Sequence, residues 1–395
     1  MLGECKIEQA SGGVYHRWEI MMTEAGGRAL RKMVFAVVAA LFWSAVLYCG
    51  PSVPAASAAP VASAPGALPR PFLDWIARGS ATLDNWYDPG TGLFRTTGWW
   101  NSAHALEAEL TASHLLGDDR GARRAATTYA AHQASGFLND YYDDEGWWGL
   151  AWLVAYDDTG DVRYLRTAQG IFDDLAGGWD QTCGGGIWWS KERKYKNAIA
   201  NELFTALGAE LAAHTTGADS AHYRDWSLRG WRWVLDSGML DGRRLFNDGL
   251  DDMCRNNGKT AWTYNQGVVL TAAVDLFRVT GDQEYLRTAR RLADAAITAL
   301  SGPDGILHES CETTGCGADG PQFKGIFIQS LARLEAVSPD LGRTAFIEHN
   351  ALSIWTRDRG PGDRFGLHWS GPFDTGDASR QSAALACLNA AAQLA

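Results

Sequence analysis

The sequence lacks the usual marks of a zinc site and of a membrane span. Its 7 cysteines include no Cys-x-x-Cys pair, and its 9 histidines form no cluster. Zinc sites commonly combine closely spaced cysteines with histidines, so no metal site is predicted. The main apolar run near the N-terminus, residues 34–48, has about 15 residues, fewer than the roughly 20 that cross a bilayer. These absences argue against a zinc-dependent protein and against a membrane-spanning one.

Positive charge is also scarce. The chain has 35 Lys and Arg against 46 Asp and Glu, a formal net charge of -11. Because surfaces that bind nucleic acid are usually basic, no nucleic-acid partner is predicted, and a neutral or cationic ligand fits better. Tryptophan, in contrast, occurs 18 times. Such large flat side chains either fill a core or stack on a ligand such as a sugar ring.

The N-terminal residues have the order of a secretory signal. Basic residues between Arg28 and Lys32 precede the apolar run, and the small residues Ala56-Ser57-Ala58 follow it. Basic, apolar and small residues in that order are typical of a cleavable signal peptide. A secreted, extracellular protein is therefore predicted, and an uncleaved signal would leave it anchored in a membrane.

These features divide the chain into three parts. Residues 1–59 form an N-terminal extension with the signal peptide, residues 60–71 form a linker rich in Ala, Pro and Ser, and residues 72–395 form a single catalytic domain. A domain of this size can bury a substantial core. Without heptads or an exposed apolar stripe, a monomer is predicted.

Cleavage would leave an odd number of cysteines in an oxidising compartment, so at least one is free. Cys311 and Cys316 are spaced to close a small disulfide loop. Cys183 and Cys254 are candidates for a second bridge. Cys387 lies in an Ala-rich apolar segment and is predicted to be a buried thiol.

A short repeat identifies the structural unit. The segment TGDVRYLRTA at residues 159–168 recurs as TGDQEYLRTA at residues 280–289, each time after an apolar helix. The glycine can adopt the left-handed conformation that ends a helix, and the aspartate can cap the next one. The repeat therefore predicts helical hairpins.

Six helices rich in Ala, Leu and aromatic residues are predicted at residues 101–116, 146–156, 197–214, 264–279, 323–336 and 378–394. Each follows a more polar partner that begins near residue 72, 118, 161, 221, 283 or 341. The first set is apolar nearly all round, which indicates burial on both sides, whereas the partners have a solvated face. Six such hairpins close into an all-α (α/α)6 barrel. An open solenoid is the alternative, but the apolar last helix lacks the polar face of a terminal cap.

Asp143 and Asp144 are the strongest candidates for chemistry. They lie between two aromatic pairs in a loop predicted over residues 136–145. Glycosidases use two carboxyl groups, about 5–5.5 Å apart in retaining enzymes and about 6.5–9.5 Å apart in inverting ones. Mutual repulsion and desolvation by the aromatic rings would raise one pKa. From the residues alone, helix capping with aromatic core packing explains the pair equally well.

Several segments resemble glycoside hydrolase family 76, the endo-α-1,6-mannanases. They are YYDDEGWWGLA (141–151), CGGGIWW (183–189), KNAIANEL (196–203), YNQG (264–267) and FKGIF (323–327). The resemblance spans most of the chain after the linker. It implies an (α/α)6 fold without metal or cofactor and retaining hydrolysis of internal α-1,6 linkages in α-mannan. It also implies that Asp143 is the nucleophile and Asp144 the general acid/base.

Other residues near helix starts and in the long loops are candidates to bind the sugar. Asn265 suits helix capping equally well, and the pair Trp188 and Trp189 could be either a binding platform or packing. The candidates are Trp100, Asn101, Tyr142, Trp147, Trp188, Asp248, Asp251, Asp252, Tyr264, Asn265 and Gln266.

Three other functions remain open. A transglycosylase could remodel α-mannan or cell-wall glycans with the same carboxylates, and a mannan-binding protein could use the same scaffold without turnover. A sugar epimerase or an unsaturated-uronyl hydrolase is less favoured, because these usually rely on His or on cationic residues.

Overall fold

The structure of the protein is a computed structural model that describes residues 71–395. These residues are largely helical, with one short antiparallel hairpin of strands β1 (Tyr87–Asp88) and β2 (Leu93–Phe94). The described α-helices are α1 (Phe72–Leu83), α2 (Trp99–Leu116), α3 (Arg120–His132), α4 (Tyr142–Thr159), α5 (Val162–Gly177), α6 (Ala198–His214), α7 (Gly217–Asp236), α8 (Thr263–Thr280), α9 (Gln283–Leu300), α10 (Phe323–Val337), α11 (Leu341–Arg357) and α12 (Ala378–Gln393).

The helices form two concentric rings. The even-numbered helices contact one another in chain order, and α12 contacts α2, which closes the inner ring. Each odd-numbered helix packs against the even-numbered helices before and after it in the chain, with α1 lying between α12 and α2. This arrangement is the predicted (α/α)6 barrel of six helical hairpins.

The burial of the two rings follows from their composition. In α6 every residue from Ala198 to Ala212 is buried, and most of these side chains are small or aliphatic. In α9 the buried residues recur every three or four positions, from Leu286 to Ala296. A helix that is apolar all round is typical of a core, and one with a single apolar stripe is typical of a surface.

The repeated segment behaves as predicted. Gly160 and Gly281 end α4 and α8 with φ values of 71° and 74°. Asp161 accepts a hydrogen bond from the backbone N–H of Arg163, and Asp282 accepts one from the N–H of Glu284. These caps satisfy N–H groups that a helix leaves free at its start.

Both candidate disulfides are present. Cys183 is bonded to Cys254, and Cys311 to Cys316. Cys387 is a buried free thiol, and burial raises its pKa. The first bridge joins the loop of residues 178–197 to the loop of residues 237–262.

Two predicted helix starts are wrong by four residues. Helix α7 begins at Gly217 and not near residue 221, and α4 begins at Tyr142 and not at Gly146. Asp143 and Asp144 therefore lie in the first turn of a helix and not in a loop. The N–H of Tyr142, which a helix start leaves free, donates to the carbonyl of Trp189, and acidic residues in a first turn are favoured by the helix dipole.

The predicted N-terminal extension, its signal peptide and the linker lie outside the described residues, apart from Pro71, which precedes α1. Within residues 71–395, none of the helices has the length and apolarity needed to span a membrane.

Candidate active site

A pocket opens where the N-terminal ends of the inner helices meet the long loops before them. Its aromatic walls come from α2, α4, α8, α10 and the loop of residues 178–197, and its polar groups come from α4 and three loops. The lining residues are Trp100, Asp143, Trp147, Trp189, Tyr195, Asn197, Asp248, Lys259, Tyr264, Asp319 and Phe323.

Asp143 lies in this pocket. Its Oδ2 accepts a hydrogen bond of 3.0 Å from the indole Nε1 of Trp189. Its Oδ1 is buried and has no hydrogen-bond partner among the described residues. Burial, and then the neighbouring charge of Asp144, raise the pKa of Asp143 well above its usual value, while the Trp189 N–H opposes the shift.

Asp144 is the next residue in the same helical turn. Its Oδ2 accepts a hydrogen bond of 2.6 Å from the side-chain amide of Asn139. Burial raises its pKa to about 6; the Asn139 amide opposes this shift, and the negative charge of Asp319 adds to it. Neither aspartate caps the helix, because the N-cap residue is Tyr141 and α4 has no side-chain capping hydrogen bond.

The carboxyl groups of Asp143 and Asp144 are thus both desolvated by burial in the first turn of α4. Burial is the main cause that disfavours the ionised form of both Asp143 and Asp144. Two coupled carboxyl groups of this kind titrate as a pair, and at intermediate pH the pair holds one proton. A pair with one proton supplies both an acid and a carboxylate, as glycosidase chemistry requires.

Trp189 connects Asp143 to the polar end of the pocket. Its ring centroid is 6.2 Å from that of Tyr195, whose hydroxyl donates to Oδ2 of Asp248. Asn257 donates to the same hydroxyl at 2.9 Å, and the Lys259 ammonium lies 5.2 Å from the Tyr195 ring centroid. This end of the pocket therefore offers a carboxylate and an ammonium that could hydrogen-bond sugar hydroxyls.

Four further aromatic residues line the pocket. Trp100 stacks on Trp147 with 5.7 Å between ring centroids, and Tyr264 stacks on Phe323 at 4.0 Å. The indole N–H of Trp100 donates to Oδ1 of Asp319 at 2.9 Å. Flat apolar faces beside fixed carboxylates suit a polyhydroxylated ring, which has both C–H faces and polar edges.

The profile of Glycosyl hydrolase family 76 matches residues 81–394. The chain belongs to this family. The family and the glycoside hydrolase class predicted from the sequence are thereby confirmed.

Individual relatives agree with this membership. The chain is 28% identical over 303 residues to the mannan endo-1,6-alpha-mannosidase DCW1 of Candida glabrata, covering 69% of this chain and 66% of that protein. It is 26% identical over 285 residues to DCW1 of Saccharomyces cerevisiae, covering 65% of this chain and 62% of that protein. The chain spans about half to two thirds of the length of the curated relatives it matches.

A solved structure shares the fold. It is an inactive variant of the α-1,6-mannanase GH76A of Salegentibacter sp. HEL1_6, with two neighbouring aspartates replaced by alanine, in complex with α-1,6-mannotetrose. It superposes with a TM-score of 0.73 at 24% identity, covering 82% of this chain and 99% of that one. The family 76 barrel is therefore the fold of this chain as well.

Five of the candidate residues line the pocket of this family 76 barrel. They are Trp100, Asp143, Trp147, Asp248 and Tyr264. Asp144 lies beside the pocket, one residue from Asp143. The remaining seven candidates do not line it, and the structure gives most of them other partners.

Three of these seven have partners that do not line the pocket. The Asn101 side chain accepts from the N–H of Gly98 at 3.2 Å at the start of α2. The ring of Tyr142 lies below the Lys191 ammonium. The indole of Trp188 donates to Asp180 at 2.8 Å.

The other four lie in or near the loop of residues 237–262 and at the start of α8. Gln266 exchanges two hydrogen bonds of 2.8 Å with the backbone of Phe246, and Asp251 pairs with Arg255. Asp252 is exposed outside the pocket. Asn265 is fully buried, and its amide atoms have no hydrogen-bond partner among the described residues.

Six pocket residues stand outside the list of binding candidates: Trp189, Tyr195, Asn197, Lys259, Asp319 and Phe323. Three of them had a signal, because Asn197, Phe323 and Trp189 all stand in segments that resemble the family. Trp189 is also, with Trp188, one of the pair that could form a binding platform. In extended backbone, neighbouring side chains point to opposite sides, so only one of the two indoles can face the pocket. Tyr195, Lys259 and Asp319 lie in irregular loops, whose approach to Asp143 no sequence pattern indicated.

Within residues 71–395, no three His, Cys, Asp or Glu side chains are grouped so that they could hold a metal ion.

Proposed function

We propose that this protein is a secreted endo-α-1,6-mannanase that hydrolyses internal linkages of α-1,6-linked mannan with retention of configuration. The observation that supports this most directly is the placement of Asp143 in an aromatic pocket with Asp144 beside it in one helical turn. Relatives named mannan endo-1,6-alpha-mannosidase, and a fold neighbour inactivated at two adjacent aspartates and bound to α-1,6-mannotetrose, support the substrate.

In the first step, Asp143 attacks the anomeric carbon of the mannosyl unit held in the pocket. The bond from that carbon to the glycosidic oxygen breaks, and Asp144 gives its proton to the leaving oxygen. One product chain departs with a new hydroxyl group, and the other stays attached to Asp143 as an ester.

In the second step, water replaces Asp143 at the anomeric carbon. Asp144, now a carboxylate, takes a proton from the water as it attacks, and Asp143 leaves as a carboxylate. Two inversions restore the original configuration. Both residues then carry the charges with which the cycle began.

The surroundings of the pair bear on these roles in two ways. The Asn139 amide and the raised pKa of about 6 suit Asp144 as a group that both gives and takes a proton. The indole N–H of Trp189 stabilises an ionised Asp143, whereas its burial acts in the opposite direction. The assignment of Asp143 as nucleophile and Asp144 as general acid/base therefore rests on the family resemblance. Trapping the glycosyl ester would identify which of the two carboxyl groups is the nucleophile.

The test is to incubate the purified protein with linear α-1,6-mannan and to follow chain length and the anomeric configuration of the first products. We expect rapid shortening from internal cuts, with retained configuration, and a loss of several orders of magnitude in kcat for Asp143→Asn. No shortening by the unaltered protein, or full activity of Asp143→Asn, would contradict the proposal. Products longer than the donor would instead support transglycosylation through the same ester.

The proposed location has its own test. If the N-terminal signal is cleaved, mature protein isolated from the culture medium begins after Ala58, near the predicted linker. Protein that stays with the membrane fraction and keeps its apolar segment would contradict secretion.

A further inference from the structure

Two large aromatic rings lie exposed at the mouth of the pocket. Tyr141 is 41% exposed and Trp189 is 37% exposed. Their ring centroids are 5.0 Å apart, and the ring planes are tilted by 52°. Together they present an apolar surface to solvent directly beside Asp143.

The backbone holds both rings in place. Tyr141 forms an antiparallel bridge with Ser190. The N–H of Tyr142 donates to the carbonyl of Trp189, and the N–H of Lys191 donates to the carbonyl of Asp140, both at 2.9 Å. The indole is fixed further by its hydrogen bond to Asp143. A preorganised surface of this kind loses little conformational freedom when a ligand binds.

We propose that Tyr141 and Trp189 form a sugar-binding platform that holds one mannosyl unit of an α-1,6-linked chain outside the pocket. The inference rests on the proposed function and extends the binding site beyond the residues that line the pocket. The platform acts in binding, and Tyr141 takes no part in the bond-breaking steps.

The reason lies in the cleavage of internal linkages. An internal bond has sugar units on both sides, so a chain cleaved at Asp143 must continue out of the pocket at its mouth. Trp189 lines the pocket and its ring also adjoins Tyr141, so the aromatic surface is continuous from the carboxylate outward. The C–H face of a pyranose can stack on such rings while its hydroxyl groups stay in water.

The first experiment compares kcat and KM on linear α-1,6-mannan for four proteins: the unaltered chain, Tyr141→Ala, Tyr141→Phe and Leu341→Ala. For Tyr141→Ala we expect a rise in KM of about three- to tenfold, with kcat changed less, because an aromatic contact is lost in substrate binding. Tyr141→Phe keeps the ring and should behave like the unaltered protein. Leu341 is 90% exposed at the start of α11 and is the control for loss of an exposed apolar side chain.

The second experiment measures binding of α-1,6-linked mannose oligomers of increasing length to Asp143→Asn, with and without Tyr141→Ala. We expect affinity to rise with length and the additional Tyr141→Ala change to remove the gain from one unit. If both proteins show the same length dependence and KM is unchanged, the rings only pack against each other and the platform is refuted. A fall in kcat at unchanged KM also refutes it, because Tyr141 would then act through Trp189 on Asp143.

These outcomes separate the platform from the proposed function. If the unaltered protein does not cleave α-1,6-mannan and Asp143→Asn does not bind the oligomers, the proposed function fails. If cleavage occurs and Tyr141→Ala has no effect on KM or affinity, only the platform fails.

Discussion

The indole N–H of Trp189 donates a hydrogen bond to Oδ2 of Asp143 at 3.0 Å. Asp143 lies in α4 and Trp189 in the loop of residues 178–197, 46 positions further along the chain. Because a hydrogen bond to the ionised form lowers a carboxyl pKa, this contact opposes the rise that burial causes. It is the one side-chain hydrogen bond to Asp143 among the described residues, and Oδ1 has none.

Replacing Trp189 by Phe keeps an aromatic ring and removes this hydrogen bond. The pKa of Asp143 should rise further, so the acidic limb of the pH profile of kcat/KM should move to higher pH. A hydrogen bond to a charged group contributes about 1.5–3 kcal/mol, so the limb should move by about one to two pH units. Trp188→Phe, which removes an indole bonded to Asp180, is the matched control. An unchanged acidic limb in Trp189→Phe would contradict the role of the bond.

Asp319 is expected to influence the alkaline limb of the pH profile of kcat/KM. Burial is the main cause of the raised pKa of Asp144, and the charge of Asp319 adds to it; in the proposed mechanism Asp144 must be protonated to act as the general acid. Asp319→Asn removes the charge but keeps an oxygen that can accept from Trp100. The pKa of Asp144 should then fall, and the alkaline limb of kcat/KM should move to lower pH. Asp225→Asn on the exposed face of α7 should leave the profile in place; a shift of equal size in both variants would show a general effect of net charge.

Lys196 is expected to be essential for the stability of the loop of residues 178–197. Its ammonium is 2% exposed and donates to the carbonyls of Thr182, Gly185 and Gly186 and to the carboxylate of Asp180, all at 2.7–2.9 Å. Lys196→Met would remove all of these charge-assisted hydrogen bonds, at a cost of about 3 kcal/mol or more. Denaturant unfolding measures the change. Lys194→Met, at a side chain that is 78% exposed, should cost less than about 0.5 kcal/mol.

Glu202 should make the protein less stable as the pH rises. It is fully buried in α6, and neither carboxylate oxygen has a hydrogen-bond partner among the described residues. Burial raises its pKa in the folded protein well above the ordinary value of 4.5. Above pH 4.5 the unfolded chain therefore loses the proton, while the folded protein still keeps it. Stability is full below the unfolded pKa and falls above it.

Glu202→Gln removes this titration. At pH 8 the free energy of unfolding of Glu202→Gln, measured with denaturant, should therefore exceed that of the unaltered protein by more than about 1 kcal/mol. Near pH 4 the two proteins should differ little. Glu192→Gln, at an exposed side chain, is the control. A constant difference between Glu202→Gln and the unaltered protein at all pH values would contradict the assignment.

The sequence predicted the barrel because its signals are local and repeated. The Gly-Asp pairs at 160–161 and 281–282 end one helix and cap the next wherever the chain places them, and the all-round apolarity of α6 requires burial. The start of α4 was missed because its decisive contact is not local. The N–H of Tyr142 is satisfied by the carbonyl of Trp189, which no pattern around residue 142 indicates.

Contacts between residues far apart in the chain also limit the prediction of the pocket, because they leave no local pattern in the sequence. Asp143 and Trp147 stand in a motif on one helix and were found, whereas Lys259 and Asp319 reach the pocket through irregular loops. For the neighbours Trp188 and Trp189, the orientation of the extended backbone determines which indole faces the pocket. Trp188 turns to Asp180 and Trp189 to Asp143, and the sequence shows only that two indoles are adjacent.

The bond between Cys183 and Cys254 joins residues 71 positions apart, and the two loops it joins carry the pocket residues Trp189 and Asp248. Cytosol keeps thiols reduced, whereas compartments outside it allow them to oxidise. In a reducing compartment these two loops would therefore not be joined covalently. Reduction of this bond is therefore expected to loosen the position of Trp189 relative to Asp248 without breaking the helical barrel.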